Sequence, residues 1–442
     1  MTIHDLSAGD TAWVLISAAL VLMMTPALAF FYGGMVRSKS VLNMLMMSIS
    51  AMGVVGVLWV LVGFSMAFGD SLGGVVGNPL EFAGLRGLMS PDAVVGTIPT
   101  LVFVGYQASF AIIAVALISG AVADRMKFSA WLLFAGVWAL LVYFPAAHWV
   151  FAFDGFVAPH GGFIANGIKA IDFAGGTAIH INAGAAAFAL CLVLGRRIGW
   201  GRTPMRPHNL TLVMLGAGLL WFGWFGFNAG SALAANGTAG VAWINTLAGA
   251  AAAMLAWLAV ERFRDGHATS LGAASGIVAG LVAITPACAA VSPLGAVAIG
   301  AMAGVACAYA IGLKSRFGFD DSLDVVGVHL VGGLIGTLAI GLLADPTSPT
   351  GASGLFYGGG FAVLWAQFLG AVIVLAYSLT LTFGIAKAID LVFGLRVAEA
   401  SETTGIDHAQ HAETGYDLSH VGYSAYSVKH TIVVPAPEKE LA

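Results

Sequence analysis

The sequence contains little charge. Only 9% of its 442 residues are Asp, Glu, Lys or Arg, whereas 59% are hydrophobic and the mean hydropathy is +0.92. Soluble globular domains carry about 25% charged residues, so this composition excludes a soluble globular protein and predicts a polytopic membrane protein. The 18 basic residues, against 22 acidic ones, provide no basic field that would attract nucleic acid.

Cysteine is scarce as well. The three cysteines all lie inside apolar runs, at Cys191, Cys288 and Cys307. An odd number without metal-ligand spacing predicts buried thiols and excludes a disulfide framework. We expect neither a metal ion nor another cofactor.

Long apolar runs make up most of the chain. Eleven of them are long enough to cross a hydrocarbon core of ~30 Å, and charge returns only from about residue 395. The sequence therefore predicts an all-α membrane protein with eleven transmembrane helices in residues 1–394 and a polar tail in residues 395–442. The runs lie at about 11–35, 41–68, 98–122, 128–152, 173–195, 209–232, 239–260, 271–290, 294–313, 325–344 and 359–391.

Basic residues fall mainly in alternate loops between these runs. If the N-terminus lies outside, the outer loops contain only Arg86 and Lys169, and the other loop Lys and Arg residues lie on the inner side. Because cytoplasmic loops carry an excess of Lys and Arg, we predict an outside N-terminus and a cytoplasmic tail.

One spacing occurs twice. Asp172 and His180 are eight residues apart, and so are Asp321 and His329, each pair at the start of an apolar run. Each His should lie about 12 Å deep at ~1.5 Å per residue, where an ionisable side chain is by default functional. The predicted topology makes the two helices antiparallel, which indicates an inverted repeat of five plus five helices with its site near the midplane. The two histidines would then come within roughly 6 Å of each other along the membrane normal.

The paired histidines favour a functional interpretation, although a lone His on an apolar helix, such as His148, is usually structural. Two neutral imidazoles can hydrogen-bond each other and accept or relay a proton, whereas a metal site would need a third ligand. Asp172 opens its helix and is better explained as a cap.

Aromatic residues cluster on two other runs. Tyr106 and Phe110 are four residues apart on one, and Trp224, Phe227 and Ser231 follow one another on the second. One interpretation is an interfacial aromatic belt with ordinary packing. The alternative is a cation-binding mouth and gate, since ring faces attract a desolvating cation and Ser231 can accept a hydrogen bond from it.

At these residues the chain resembles the Amt/Mep/Rh ammonium transporters, specifically the bacterial Amt branch. The resemblance extends from residue 31 to the tail, and the motifs together are highly specific. They are Phe31–Gly34 with Arg37, Tyr106–Phe110, Asp172–Asn182, Pro207–Asn209, Trp224–Ser231, Thr285–Cys288, Asp324–His329 and Gly394–Val397.

The resemblance implies a homotrimer with one pore in each subunit, which recruits ammonium from outside. It also implies an outer cation site, a gate below it and a histidine dyad in the pore. The residues expected there are Tyr106, Phe110, Phe151 and Ser231 for the cation site; Phe110 and Phe227 for the gate; His180, His329, Trp224 and Thr285 for the pore; and Asp172 as structural support.

Three features depart from the family pattern. The family usually carries Trp where Phe151 stands, although Trp149 lies two residues earlier, and it commonly carries Phe where Tyr106 stands. The outer loop of residues 153–171 is also longer than in typical members. These departures concern the strength of external cation binding and leave the pore chemistry unchanged.

We therefore expect an ammonium transporter of the bacterial plasma (inner) membrane, in contact with lipid, and not an enzyme. Ammonium, and methylammonium with it, would lose its proton on entering the dry pore, because burial disfavours a cation; ammonia would then pass with or without the proton. The segments Gly405–Asp407 and His411–Glu413 resemble the family's tail motif, which implies docking of a PII-type signalling protein. The alternatives are a neutral-gas or small-solute channel of Rh type and an ammonium-sensing receptor, which would need an output domain.

Overall fold

The computed structural model describes residues 6–416; residues 1–5 and 417–442, including the end of the predicted tail, lie outside the described residues. It is a mostly helical bundle. Within residues 6–416, ten helices are long and apolar enough to cross a membrane, which confirms a helical polytopic fold. They are α1 (Ala8–Met35), α2 (Ser38–Phe68), α3 (Thr100–Val122), α4 (Phe128–Phe151), α5 (Gly176–Leu194), α6 (Leu210–Ala232), α7 (Gly237–Arg264), α9 (Pro293–Phe317), α10 (Val326–Leu343) and α11 (Ala362–Phe393).

The prediction of eleven spans is not confirmed, because the eighth apolar run forms a shorter helix, α8 (Ser270–Ile284). Its 15 residues reach only about 22 Å at ~1.5 Å per residue. Residues 285–290, which we expected to be helical, form turns. Pro286 comes directly after the C-cap residue Thr285, and proline cannot continue a helix because it lacks the N–H and clashes with the preceding turn.

Four of the long helices contain a turn of π-helix. The π turns are Trp59–Gly63, Ala139–Tyr143, Gly176–Ile181 and Val326–Leu330. A π turn is rare and occurs often at functional sites. The last two turns contain His180 and His329.

Small residues allow α7 and α9 to approach closely. A Cβ atom on Gly300 would lie 2.1 Å from the carbonyl oxygen of Gly249, and one on Gly304 would lie 2.3 Å from that of Ala253. Glycine is therefore required at both positions of α9. This agrees with the use of small residues between membrane helices.

The loops form two faces at opposite ends of the bundle. We call the end at which Ser7 donates to the carbonyl of Thr97 the N-terminal face, and the end at which the chain after Gly394 packs the tail face. The N-terminal face has two short hairpins, β1 (Ser71–Leu72) with β2 (Val76–Gly77) and β3 (Val94–Val95) with β4 (Ile98–Pro99). The tail face has two short helices, α12 (Glu399–Thr404) and α13 (Ile406–His411).

Candidate functional site

The two histidines of the repeated spacing meet inside the bundle. The Nδ1 atoms of His180 and His329 are 3.3 Å apart, and their rings are nearly parallel with centroids 5.3 Å apart. Both side chains are buried. Two neutral imidazoles in this arrangement can share one hydrogen between their Nδ1 atoms, so the pair can accept a proton on one ring and release it from the other.

The eight-residue spacing has a structural cause at each histidine. The carboxylate of Asp172 accepts hydrogen bonds from the backbone N–H groups of Gly175, Gly176, Thr177 and Ala178, at 2.6–3.2 Å. These bonds begin the π turn that contains His180. Asp172 does not open the helix as we expected, since Gly175 is the N-cap residue, but its carboxylate provides the acceptors for the free N–H groups at this helix end.

Asp321 does the same for the second histidine. Its carboxylate accepts from the N–H groups of Val325 and Val326 at 3.0 and 2.7 Å, and the π turn with His329 follows. Burial raises the pKa of Asp172, although its hydrogen bonds oppose the change. Burial and the nearby Asp324 raise the pKa of Asp321 to about 6.

A narrow apolar passage contains the histidine pair. Its cavity of about 10 Å³ has room for about one water-sized molecule. Trp224 stacks on His180 with centroids 5.5 Å apart, and its indole N–H donates to Thr285 Oγ1 at 2.8 Å. Thr285 thus lies behind Trp224 rather than in the wall. The lining residues are Met24, Leu28, Ile113, Leu117, His180, Leu220, Trp224, Phe227, Val278 and His329.

Two phenylalanine rings close the passage toward the N-terminal face. The ring centroids of Phe110 and Phe227 are 4.4 Å apart, and both side chains are almost fully buried. Phe227 also stacks against His180 at 6.0 Å. Phe227 lines the cavity of the histidine pair, whereas Phe110 lines a second cavity nearer the N-terminal face.

A wider cavity lies above the two rings. We call this cavity of about 280 Å³ the vestibule. Of the residues expected at a cation site, Phe110, Phe151 and Ser231 line it, and so does the supporting residue Asp172. The complete lining is Phe103, Gln107, Phe110, Phe151, Phe153, Phe156, Asp172, Phe173, Ala174, Ser231 and Leu233.

Tyr106 is not among the lining residues of the vestibule. It is fully buried, and its hydroxyl lies 3.1 Å from Ser231 Oγ and 2.9 and 3.0 Å from the carbonyl oxygens of Gly226 and Phe227. Tyr106 therefore contacts the site from behind, through its hydroxyl at Ser231 and through its ring, which packs edge-to-face on Phe110 with centroids 4.8 Å apart.

Trp149 does not provide an indole at the vestibule. Its N–H donates to the carbonyl of Val75 at 2.6 Å, and its ring packs on Tyr377 at 4.4 Å. Phe151 is the residue that lines the vestibule. The indole of Trp149 fixes the loop beside it.

Sequence reasoning missed several lining residues. Gln107 comes four residues after Phe103 and three residues before Phe110, so the three side chains share one face of α3. Helical periodicity could therefore have found Phe103 and Gln107. Phe153, Phe156 and Phe173 lie in the long segment between α4 and α5, outside regular helix. No periodic pattern marks them.

Comparison with known proteins gives a consistent result. The chain matches the model of the Ammonium Transporter Family over residues 12–416. It is 64% identical over 432 residues to a Mycobacterium tuberculosis (strain H37Rv) protein named Ammonium transporter, covering 93% of this chain and 91% of that protein. Its fold is similar to the crystal structure of Saccharomyces cerevisiae Mep2, with a TM-score of 0.83, 31% identity, and coverage of 99% of this chain and 95% of that one. A solved structure described as a Sensor Amt Protein gives a TM-score of 0.83 at 28% identity, covering 91% and 98% of the two chains.

Proposed function

The chain belongs to the ammonium transporter family, and on this basis we propose that it carries ammonium through its histidine passage. It is a multi-pass protein of the bacterial plasma membrane. The observation that supports the proposal best is the spatial order of three features, each in contact with the next. They are the vestibule, the closed phenylalanine pair and the buried histidine pair.

Ammonium binds first in the vestibule. Ring faces of Phe110 and Phe151 attract the cation, and Ser231 accepts a hydrogen bond from it. The Ser231 hydroxyl donates to the carbonyl of Phe227 at 2.9 Å, so its oxygen lone pairs remain available for an N–H donor. Asp172 contributes a carboxylate to the same wall.

The ion then loses its proton at the passage. The cavity around the histidines is apolar and has room for one small molecule, so a charged ammonium ion would lose its hydration there without replacement. Burial of this kind lowers the pKa of a cation and favours neutral ammonia. Ammonia passes His180 and His329, and the imidazoles can carry the proton separately.

The finer topology belongs to the same proposal. We expect the N-terminal face outside and the tail face in the cytoplasm, with α8 as a short eleventh crossing and α1–α5 related to α6–α10 as an inverted repeat. Residues 1–394 would form the transport domain and residues 395–442 the tail. The active form would be a homotrimer, with a PII-type protein docking on the tail face.

The decisive experiment measures currents on solid-supported membranes with reconstituted protein. Pulses of ammonium and methylammonium should give saturable currents, and potassium should give none. Replacing either His180 or His329 with Ala should abolish or uncouple charge movement, since one imidazole alone provides no relay. His267→Ala is the matched control, because this His is exposed on the tail face.

Two outcomes would contradict parts of this proposal. Wild-type ammonium currents in the double Ala variant would exclude the proton relay. Uptake of labelled methylammonium without any saturable current would instead indicate a neutral-gas channel of Rh type.

An ammonium-sensing receptor is the second candidate, favoured by the fold similarity to the Sensor Amt Protein. A receptor must bind ammonium but need not conduct it. Ammonium binding to the purified protein, without current or methylammonium uptake, would therefore support the receptor and exclude the transporter.

A further inference from the structure

We propose that the vestibule is an aromatic cage that binds quaternary ammonium ions, with Phe153 and Phe156 as walls supplied by the loop between α4 and α5. The proposal deepens the proposed function, since it assigns new residues and a further ligand class to the same entry site. The argument starts from how this loop is held.

Hydrogen bonds fix the loop over the bundle. The carbonyl of Ala152 accepts from the N–H of Gly162 at 2.9 Å and from the side-chain amide of Asn166 at 3.0 Å. A tight turn joins Phe153 to Phe156, whose N–H donates to the Phe153 carbonyl at 3.2 Å. The two rings are therefore presented from a closed loop.

The rings of Phe156 and Phe153 differ in their packing and exposure. Phe156 packs edge-to-face on Phe103, with centroids 5.6 Å apart and an interplanar angle of 83°. Phe153 lines the vestibule and yet is 53% exposed. The exposed part of the Phe153 ring is therefore accessible to a ligand in the vestibule.

The side chains that line the vestibule are suited to a cation that has no N–H groups. Six phenylalanine residues line the vestibule, and Asp172 is the single ionisable side chain among its described lining residues. Aromatic cages recognise quaternary ammonium groups because ring faces attract a cation that makes no hydrogen bonds. A nearby carboxylate adds to this attraction.

The sizes of the two cavities would let a large cation bind in the vestibule but not pass through the protein. The vestibule has about 280 Å³, whereas a water molecule occupies about 30 Å³ in the liquid, so an ion several times larger than ammonium fits. Below it, the closed Phe110–Phe227 pair and a cavity of about 10 Å³ exclude such an ion. Tetramethylammonium also has no proton to release. It should therefore occupy the vestibule, compete with ammonium and not be conducted.

The test uses tetramethylammonium as the probe and the full-length reconstituted protein. Calorimetric titration measures its binding, and inhibition of ammonium-evoked currents measures competition. Phe153→Leu and Phe156→Leu keep apolar volume but remove the ring. Each should raise the tetramethylammonium dissociation constant by about two- to fivefold, and Phe153→Trp should lower it. Phe356→Leu is the control, since this ring is 70% exposed on the same face but does not line the vestibule.

The results separate this proposal from the proposed function. Ring-dependent tetramethylammonium binding without any ammonium current would support the cage and contradict transport. Ammonium currents together with no tetramethylammonium binding to the wild-type protein would overturn the cage alone. Equal binding by the wild-type, Phe153→Leu and Phe153→Trp proteins would overturn it as well. Because Phe153 is half exposed, its variants test the proposal even if Phe156→Leu disturbs folding.

Discussion

At the scale of single residues, Tyr106 is the least expected member of the site. Its hydroxyl has one hydrogen but three oxygen neighbours, the carbonyls of Gly226 and Phe227 and the hydroxyl of Ser231. It thereby joins α3 to the end of α6, where Phe227 and Ser231 lie. A phenylalanine at this position would keep the ring and lose the connection.

Tyr106→Phe should lower stability and weaken ammonium binding together. The lost hydrogen bond should cost about 0.5–1.5 kcal/mol, measured by thermal unfolding in detergent. Because Ser231 would no longer be held, the ammonium concentration at half-maximal current should rise about two- to fivefold. Tyr32→Phe is the matched control, since its buried hydroxyl donates to the Leu117 carbonyl at 3.0 Å away from the vestibule. An unchanged half-saturation in Tyr106→Phe would contradict this role.

At the scale of elements, the important units are the two capped π turns. Each consists of an aspartate, a short link and a turn that directs a histidine into the bundle. Asp172 and Asp321 lie at the beginnings of these units and accept the free N–H groups there. A buried carboxylate without these donors would be strongly unfavourable, so each cap and its turn depend on each other.

The second cap predicts an unusual pH dependence of stability. The pKa of Asp321 is raised from 3.8 to about 6 by burial and by Asp324, so between these values the folded protein binds more protons than the unfolded chain. This group therefore stabilises the fold fully below about pH 4, and the contribution is lost as the pH rises through about 6.

Asp321→Asn should remove this contribution. Thermal midpoints measured in detergent between pH 4.5 and pH 7, at about half-unit steps, should fall less with rising pH in the variant than in the wild type. Asp345→Asn is a suitable control on the N-terminal face, because hydrogen bonds from Thr347 lower the pKa of this carboxyl. Identical pH profiles for wild type and Asp321→Asn would show that this carboxyl does not titrate in that window.

At the scale of the whole molecule, the described part of the tail is bound to the loops of the tail face. The Asp407 carboxylate accepts from the N–H groups of Leu42 and Asn43, at 3.0 and 2.8 Å, near the start of α2. Arg396 and Glu402 form an ion pair at 2.8 Å, and Glu402 also accepts from the N–H of Ile198 at 2.6 Å. The tail thereby links the start of α2 to the loop between α5 and α6, which is far from it in sequence.

Asp407→Ala should release this segment. Two N–H groups at the start of α2 would lose their partner, which costs about 0.5–2 kcal/mol for a helix cap. We expect faster proteolysis within residues 394–416, while Asp407→Asn, which keeps an oxygen acceptor, should remain closer to wild type. Glu413→Ala is the control, since Glu413 is exposed. Equal proteolysis of the wild type and Asp407→Ala would mean that the other contacts alone hold the tail.

The class of the protein, its helical character and the repeated Asp–His spacing could be read from the amino-acid sequence alone. These properties are local, because a hydrocarbon core requires uninterrupted apolar runs and a cap requires a fixed distance along the chain from its helix. The residues of the two motifs around His180 and His329 could be identified in the sequence because their spacing is local as well.

Which of the named side chains line which cavity depends on the three-dimensional packing of the helices and loops. It buried Tyr106 behind Ser231, put Thr285 behind Trp224 and brought Phe153 to the vestibule from a loop without periodic pattern. Each outcome depends on contacts between segments that are distant in sequence. Such contacts leave no regular spacing within one segment, so a search for periodic patterns cannot predict them.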